Sequence, residues 1–400
     1  MVPRSSGMSR FESLDHWRGL ACLLVIVYHS TMEYLANAPK AAGVWSVSGL
    51  LETTHYFNVG VALFFVISGY CIAAAADNSR LRSHSIRTYF IRRFRRIYPP
   101  FWIVVVLSIG AFFLLDYGWR APLLSGGAWP QYRPTWFSGS QWIGNLTLTE
   151  SWRYHVYGGM KGQFVGQAWT LCYEEQFYFV TGMLLLLSRR WFFPGIAFVS
   201  ISTALGAAWA REIGVHIDGF FFDGSWLLFA VGVAVFYRLR YATGVRAIAL
   251  DALLLIAIPL SLWLSVPIYG AITGFAFAAA LPWLYKFDRQ VAAAPFLKPL
   301  LICGQMCYSL YLVHQIPVKA VTTALYRNGV TGPLPTLLIV IPISVAVSVG
   351  LGWMFHIVVE RRFLNPPVRE AVAVDTATGP VPGAVGLPAG ALAGANLELR

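Results

Sequence analysis

The segment that decides the fold is residues 17–29, which read WRGLACLLVIVYH. An apolar run over residues 19–28 separates Arg18 from His29, and both lie within the first candidate membrane span, 16–37. At about 100° per residue, these two side chains lie on the same side of a helix, roughly 16 Å apart along its axis. Because ionisable side chains inside a membrane are energetically costly, we expect both residues to have a function.

Composition places the whole chain among membrane proteins. Hydrophobic residues make up 57% and charged residues 12% of the 400 residues, whereas soluble domains are about half apolar and about a quarter charged. We therefore predict an all-α polytopic membrane protein with about ten transmembrane helices. The predicted spans are 16–37, 57–77, 99–117, 168–188, 191–210, 219–237, 247–264, 267–285, 300–323 and 334–358.

The basic residues predict the orientation of these spans. With a cytoplasmic N-terminus, 20 Lys and Arg residues fall on the cytoplasmic side and 8 on the other, in agreement with the positive-inside tendency. We expect a multi-pass protein of the cell inner membrane with both termini cytoplasmic. Pro39, which follows the cleavage-like Ala36-Asn37-Ala38, and the charged residues of the first segment favour a retained span over a signal peptide.

Two regions differ from the spans in composition. The longest predicted external loop, residues 118–167, is rich in Gly, Pro and Trp, and loops of this length usually carry function. Residues 371–400 are rich in Ala, Gly, Pro and Val without helical or strand periodicity. We predict one integral-membrane domain over 1–370 and a disordered cytoplasmic tail over 371–400.

Three ionisable side chains from three predicted spans fall at a similar depth. At about 1.5 Å per residue, His29 and His314 each lie roughly 20 Å from the cytoplasmic edge, and Glu174 enters from the outside to the same level. Imidazole is well suited to accept a proton near neutral pH. A hydrogen-bonded histidine inside the bundle is the alternative for His29, and plain packing is the alternative for His314. Glu33 either orients the His29 ring from the next helical turn or is solvated.

A basic cluster precedes the third predicted span. Arg92, Arg93, Arg95 and Arg96 are followed directly by Ile97. Arg93 and Arg96, three residues apart, point together on a helix and match phosphate oxygens. Charge alone instead favours a cluster that holds the loop inside and binds anionic lipid headgroups. The five cysteines form no CxxC pair, so we expect packing and neither a disulfide framework nor a metal site.

The chain resembles acyltransferase family 3, the bacterial integral-membrane O-acyltransferases of surface glycans and some natural products. The resemblance covers about residues 10–365, and Cys307 stands where the family usually has Ser. It rests on five elements in order: FESLDHWRG (11–19) with the Arg-x10-His spacing, FFVISGY (64–70), RFRRIYP (93–99), WTLCYEEQFY (169–178) and GQMCYSLYLVH (304–314).

The resemblance implies acyl transfer from a cytoplasmic donor, usually acetyl-CoA, to a hydroxyl presented from the other side of the membrane. His29 would be the general base or an acyl relay, and Glu174 would orient His29 or the acceptor. The anionic donor would be held by Arg18, Arg93 and Arg96. On this resemblance, donor binding becomes the favoured interpretation of the basic cluster, ahead of lipid headgroups. Further residues that could line the site are Ser68, Tyr98, Trp169 and His314, although close helix packing is the favoured interpretation of Ser68.

The implied partners are membrane lipid, acyl-CoA as co-substrate, and a carbohydrate or glycosylated acceptor. No bound cofactor, metal or nucleic acid is expected. The alternative is a transporter or flippase for a lipid-linked sugar or small anion that uses the same charged stripe as its pathway. A receptor or scaffold without chemistry is a third interpretation. The chain lacks the internal repeat that marks many transporters, which counts against transport.

Overall fold

The predicted all-α class is confirmed for the described part of the chain. In the computed structural model these residues form α-helices with short 3-10 and π segments, and none of them lies in a strand. The predicted tail over 371–400 lies outside the described residues. The structure describes residues 11–37, 46–81, 85–117, 122–127, 130–187, 190–215, 218–264, 266, 268 and 270–364.

The helices follow one another with mostly short connections. The first six are α1 (Leu14–Asn37), α2 (Val47–Thr53), α3 (Gly60–Leu81), α4 (Ile86–Phe112), α5 (Gly139–Leu146) and α6 (Glu150–Tyr157). The next five are α7 (Trp169–Leu187), α8 (Phe192–Glu212), α9 (Trp226–Arg240), α10 (Val245–Trp263) and α11 (Ala271–Leu284). The last six are α12 (Asp288–Ala293), α13 (Lys298–Gln305), α14 (Cys307–Val313), α15 (Gln315–Arg327), α16 (Pro333–Pro335) and α17 (Ile341–Val358).

The chain is a multi-pass membrane protein, but the predicted number of spans is not confirmed. Among the described residues six helical segments are long and apolar enough to cross a membrane, and a bent pair would make a seventh. Helices α9 and α11, both predicted as spans, have only 15 and 14 residues, fewer than the roughly 20 that a bilayer requires. The six segments are 14–37, 47–81, 86–117, 192–212, 245–263 and 333–362.

The single span predicted over 300–323 is instead three short helices. Helices α13 and α14 meet at Met306 with a bend of 64°, and α15 begins directly after His314. A broken helix at membrane depth is tolerated where its backbone is buried in protein or lines a cavity. His314 therefore sits at a junction of two helices and not partway along a straight one.

The described part of residues 118–167, predicted as an external loop, contains the short helices α5 and α6, and the end of α5 contacts α4. Tyr98 and Trp102 of α4 donate hydrogen bonds to the carbonyls of Thr147 and Leu146, which follow α5. These contacts lie within one or two turns of Arg96. Within this segment the buried Glu150 carboxylate accepts hydrogen bonds from Arg153 at 2.6 Å and from the Gly162 amide at 3.0 Å.

A close crossing of α1 and α13 holds the first segment in place. A Cβ added to Gly19 would lie 2.0 Å from the Leu300 carbonyl oxygen, and one added to Gly304 would lie 1.6 Å from the Asp15 carbonyl oxygen. Only glycine fits such an approach, and small residues are the usual means of bringing membrane helices together. The crossing positions Arg18, which lies between these two contact points.

A second close crossing joins α3 to α9. A Cβ on Gly69 would come within 2.0 Å of the Phe229 carbonyl oxygen, and one on Gly232 within 2.0 Å of the Val66 carbonyl oxygen. The two backbones therefore touch directly. This contact fixes the position of Ser68, which precedes Gly69, relative to α9.

The start of α1 is capped by a residue distant in the sequence. The Asp288 carboxylate, 4% exposed, accepts hydrogen bonds from the amides of Ser13 at 2.8 Å and Glu12 at 3.0 Å. Amides at a helix N-terminus have no partner within the helix, and a carboxylate there also interacts favourably with the helix dipole. Asp288 thus links α12 to the segment that carries Arg18.

We expect Asp288→Ala to lower the free energy of unfolding by about 1–3 kcal/mol, because it leaves two amides without partners. Asp288→Asn keeps one acceptor oxygen and should lose less. The measurement is the thermal unfolding midpoint of the purified protein in detergent, with the exposed neighbour Arg289→Ala as the control. Equal midpoints for Asp288→Ala and Arg289→Ala would contradict the capping role.

Candidate active site

A polar cavity lies between helices α1, α3, α4, α7 and α14 and encloses about 100 Å³. We call it the arginine cavity, because Arg18, Arg93 and Arg96 come from two different helices to line it. Its other polar lining residues are Ser68, Cys71, Thr170, Glu174, Tyr178, Cys307, Tyr308 and Tyr311. The structure thus brings together the three arginines and both Ser68 and Glu174 from separate sequence motifs.

Arg18 is held in the arginine cavity by two contacts. Its guanidinium donates to the Asp15 carboxylate at 2.6 Å and to the Cys71 sulfur at 2.8 Å. Asp15 lies one helical turn before Arg18, so α1 itself supplies the counter-charge. The side chain remains 20% exposed, which leaves part of its positive face available to a ligand.

Arg93 is positioned by aromatic rings. Its guanidinium lies 4.7 Å from the centroid of the Tyr178 ring and 5.6 Å from that of Tyr89, and it donates to the Tyr178 hydroxyl at 3.5 Å. Stacking on an aromatic face suits the planar guanidinium and restricts its motion.

A second polar cavity of about 180 Å³ adjoins the arginine cavity, and we call it the vestibule. Arg93 and Arg96 line both spaces, and Arg92 lines the vestibule together with Asn78, Ser79 and Thr88. Arg95, in the middle of the same sequence cluster, lines neither cavity, and its guanidinium lies 3.4 Å from the Arg362 carbonyl oxygen. The cluster therefore divides into residues that face the cavities and one that does not.

Glu174 is part of the arginine cavity. Its carboxylate accepts a hydrogen bond from the Tyr178 hydroxyl at 2.6 Å and lies 3.5 Å from the Ser68 hydroxyl. The cavity lining includes Glu174 and does not include His29. Glu174 thus stands among the predicted donor-binding residues.

His29 and His314 form a pair. Their ring centroids are 5.4 Å apart. Nδ1 of His314 lies 2.7 Å from the Tyr311 carbonyl oxygen, and because a carbonyl only accepts, Nδ1 carries the proton. In the neutral ring, Nε2 of His314 then carries the lone pair, and this buried atom has no hydrogen-bond partner within the described part of the chain. The pair presents an unprotonated nitrogen inside the bundle.

Tyr311 stands between the arginine cavity and the histidine pair. Its ring lines the cavity and lies 5.9 Å from the His314 ring. Its hydroxyl donates to the Gln167 carbonyl at 2.8 Å and is 2.6 Å from the Thr170 hydroxyl. Sequence reasoning did not single out Tyr311 or Thr170, although both lie inside the stretches that carry the family resemblance.

Three other residues considered from the sequence lie outside the arginine cavity. Tyr98 stacks on Phe94 with ring centroids 4.8 Å apart and donates a hydrogen bond to the Thr147 carbonyl. Trp169 packs edge-on against Phe65 and Tyr173. Glu33 is buried in an ion pair with Lys319 at 3.4 Å, so the interpretation of Glu33 as a solvated residue at the edge of the membrane is wrong.

The chain is similar in sequence to several known proteins. The chain is 28% identical over 186 residues to the peptidoglycan O-acetyltransferase OatA of Listeria monocytogenes, covering 45% of this chain and 25% of that protein. It is 23% identical over 414 aligned positions to the acyltransferase MdmB of Streptomyces mycarofaciens, covering 96% and 99%. It is 29% identical over 209 residues to nodulation protein 10 of Rhizobium leguminosarum bv. viciae, covering 49% and 50%.

The match therefore spans a quarter of the Listeria protein and half of the Rhizobium protein. No solved structure matches the chain significantly. The family model described as an acyltransferase domain matches residues 11–353, which include all five motifs and every residue of the arginine cavity. The chain therefore belongs to acyltransferase family 3, whose members are enzymes that transfer acyl groups.

Proposed function

We propose that this chain is a membrane O-acyltransferase that moves an acyl group, expected to be acetyl, from cytoplasmic acyl-CoA to a hydroxyl of a surface or exported glycan or a natural product. The observation that carries the proposal is the meeting of three arginines and a histidine pair on the two sides of Tyr311. The names of the relatives, a peptidoglycan O-acetyltransferase and an acyltransferase, support this class of reaction.

The donor is proposed to bind through its phosphates. Acyl-CoA is polyanionic, and guanidinium groups match phosphate oxygens in pairs. The vestibule offers Arg92, Arg93 and Arg96 on one face, and the arginine cavity continues from it to Arg18. A donor whose phosphates occupy the vestibule would direct its thioester along the cavity towards Tyr311.

The histidine pair is proposed to move the proton. His29, or Nε2 of His314 acting with it, takes the proton of the acceptor hydroxyl as the oxygen attacks the thioester carbonyl. The carbon–sulfur bond breaks, the ester forms, and the departing CoA thiolate receives the proton that the histidine held. Glu174 is proposed to set the positions of Tyr178 and Ser68 at the donor side of the cavity.

The topology that we propose has about ten crossings of the cell inner membrane and both termini in the cytoplasm. It rests on the distribution of basic residues and would admit the donor from the side that carries Arg92, Arg93 and Arg96. The short helices α9 and α11 would then cross together with their flanking residues.

The experiment uses the full-length protein reconstituted in vesicles. Incubation with acetyl-CoA and extracted envelope glycans or metabolites should give products heavier by about 42 mass units, because acetyl replaces hydrogen. A transporter would instead show flux of a sugar or anion without any acyl donor. An unchanged mass profile in the presence of donor and protein would refute the proposed reaction.

A further inference from the structure

A third cavity, of about 300 Å³, lies between α4, the junction of α14 and α15, and α17. We call it the α4–α17 groove and define it by Leu107 and Ala111 of α4, Leu351 and Met354 of α17, and Gln167 and Gln315 at its inner end. None of the described residues that line the groove is charged. A polyanionic donor therefore has no counter-charge here, unlike in the vestibule.

The groove opens sideways, towards the membrane. Leu107 is 56% exposed and Met354 is 53% exposed, and both belong to segments that are long and apolar enough to span a bilayer. Apolar side chains exposed on such segments face the hydrocarbon of the membrane. A molecule dissolved in the bilayer can thus enter the groove without crossing water.

The inner end of the groove is polar and incomplete. Gln167 is only 6% exposed, and its side-chain nitrogen donates to the Leu312 carbonyl. Its side-chain oxygen is buried and has no hydrogen-bond partner among the residues that the structure describes. Buried polar atoms are nearly always hydrogen-bonded, so an orphaned acceptor at the end of a cavity points to a ligand that donates. A hydroxyl is such a donor.

A hydrogen bond links the groove to the candidate active site. The Gln167 carbonyl accepts from the Tyr311 hydroxyl, and Tyr311 lines the arginine cavity. Val313 and Gln315, which line the groove, are the chain neighbours of His314. A hydroxyl held by Gln167 would therefore lie at the wall that carries Tyr311 and the chain neighbours of His314.

We propose that the α4–α17 groove binds the acyl acceptor, a hydroxyl-bearing amphiphile that enters laterally from the bilayer and places its hydroxyl at Gln167. This inference rests on the proposed function and names the class of its acceptor. A phospholipid tail would fill the apolar wall but would leave the Gln167 oxygen without a donor. The acyl chain of the acyl-CoA donor is also a poor candidate, because Tyr311 and Thr170 stand between the arginine cavity and the groove.

The first test fills the groove from each wall. Ala111→Phe should reduce the yield of acylated product at least tenfold and leave the binding of radiolabelled acetyl-CoA unchanged. Its matched control is Val106→Phe on the same helix, where the side chain is 67% exposed and lies outside the groove. Leu351→Trp on α17 should behave like Ala111→Phe, with Ile357→Trp as its control.

The second test requires no turnover. An alkyl glycoside with a photoactivatable group in its chain should label residues 164–167 and 312–316 in the wild-type protein. The label should fall at least tenfold in Ala111→Phe and persist in Val106→Phe. This readout survives even if no acylated product forms, so failure of the proposed reaction and failure of the groove are distinguishable.

Two outcomes would overturn the proposal. One is a normal product yield in both groove-filling variants. The other is equal competition for the photolabel by a plain alkane that lacks a hydroxyl, which would mark the groove as a site for lipid tails. Stronger competition by the hydroxyl-bearing glycoside, lost in Gln167→Leu, would support the acceptor site.

Discussion

Replacing His29 with alanine should lower the rate of acyl transfer by about 10²- to 10⁴-fold, the usual contribution of a positioned general base. The arginine cavity, which does not include His29, remains intact in this variant. Binding of acetyl-CoA should therefore persist while ester formation is lost. Initial rates of product formation and equilibrium binding of radiolabelled acetyl-CoA measure the two effects separately.

The matched control is His55→Ala. His55 is an exposed histidine whose ring lies 6.2 Å from that of Tyr28, the neighbour of His29. The His55→Ala variant should keep both the rate of acyl transfer and the binding of acetyl-CoA close to wild type. If His29→Ala forms ester at the wild-type rate, the general-base assignment is wrong.

The same assay separates the two members of the histidine pair. His314→Ala should also slow transfer, because it removes the unpartnered Nε2 beside His29. If the two rings act as a unit, the double variant should be little slower than His29→Ala alone. Additive losses would show that the two residues act independently.

Replacing Arg93 with alanine should raise the KM for acyl-CoA by about 10- to 100-fold, since a hydrogen bond to a charged group contributes about 1.5–3 kcal/mol. Arg93→Lys should recover part of this loss, because an ammonium keeps the charge but not the planar fork or the stacking on Tyr178. Steady-state kinetics at varied acetyl-CoA provide the measurement.

Arg95→Ala is the control within the same sequence cluster. It removes the same charge two residues away, but Arg95 lines neither the arginine cavity nor the vestibule. Its KM for acyl-CoA should remain within about twofold of wild type, since exposed charges contribute little. Equal effects of Arg93→Ala and Arg95→Ala would indicate that the cluster acts only by its total charge.

Part of the lining of the arginine cavity was predictable, because these residues lie in short motifs. Arg18, Arg93, Arg96, Ser68 and Glu174 come from four separate stretches and all line one cavity. The spacing of Arg93 and Arg96 along a helix was sufficient to predict that they point together. Arg95 was also in the cluster, and its exclusion from the cavities follows from the same helical geometry.

Other features depended on contacts that no local pattern records. The chain breaks at Met306, between α13 and α14, and again at His314, between α14 and α15. No proline lies at either break to signal it in the sequence. Tyr311 gained its position from hydrogen bonds to Gln167 and Thr170, residues more than 140 positions earlier in the chain. The burial of Glu33 likewise required Lys319, a partner 286 residues away.

The sequence by itself determined the all-α membrane class, because the thickness of a bilayer demands long apolar helices and the chain contains them. It also determined that Arg18 and His29 share one side of α1. Only the tertiary structure decided that Arg18 meets the arginine cavity whereas His29 meets His314. Helical periodicity sets the direction of a side chain, but the packing of distant helices decides what it meets there.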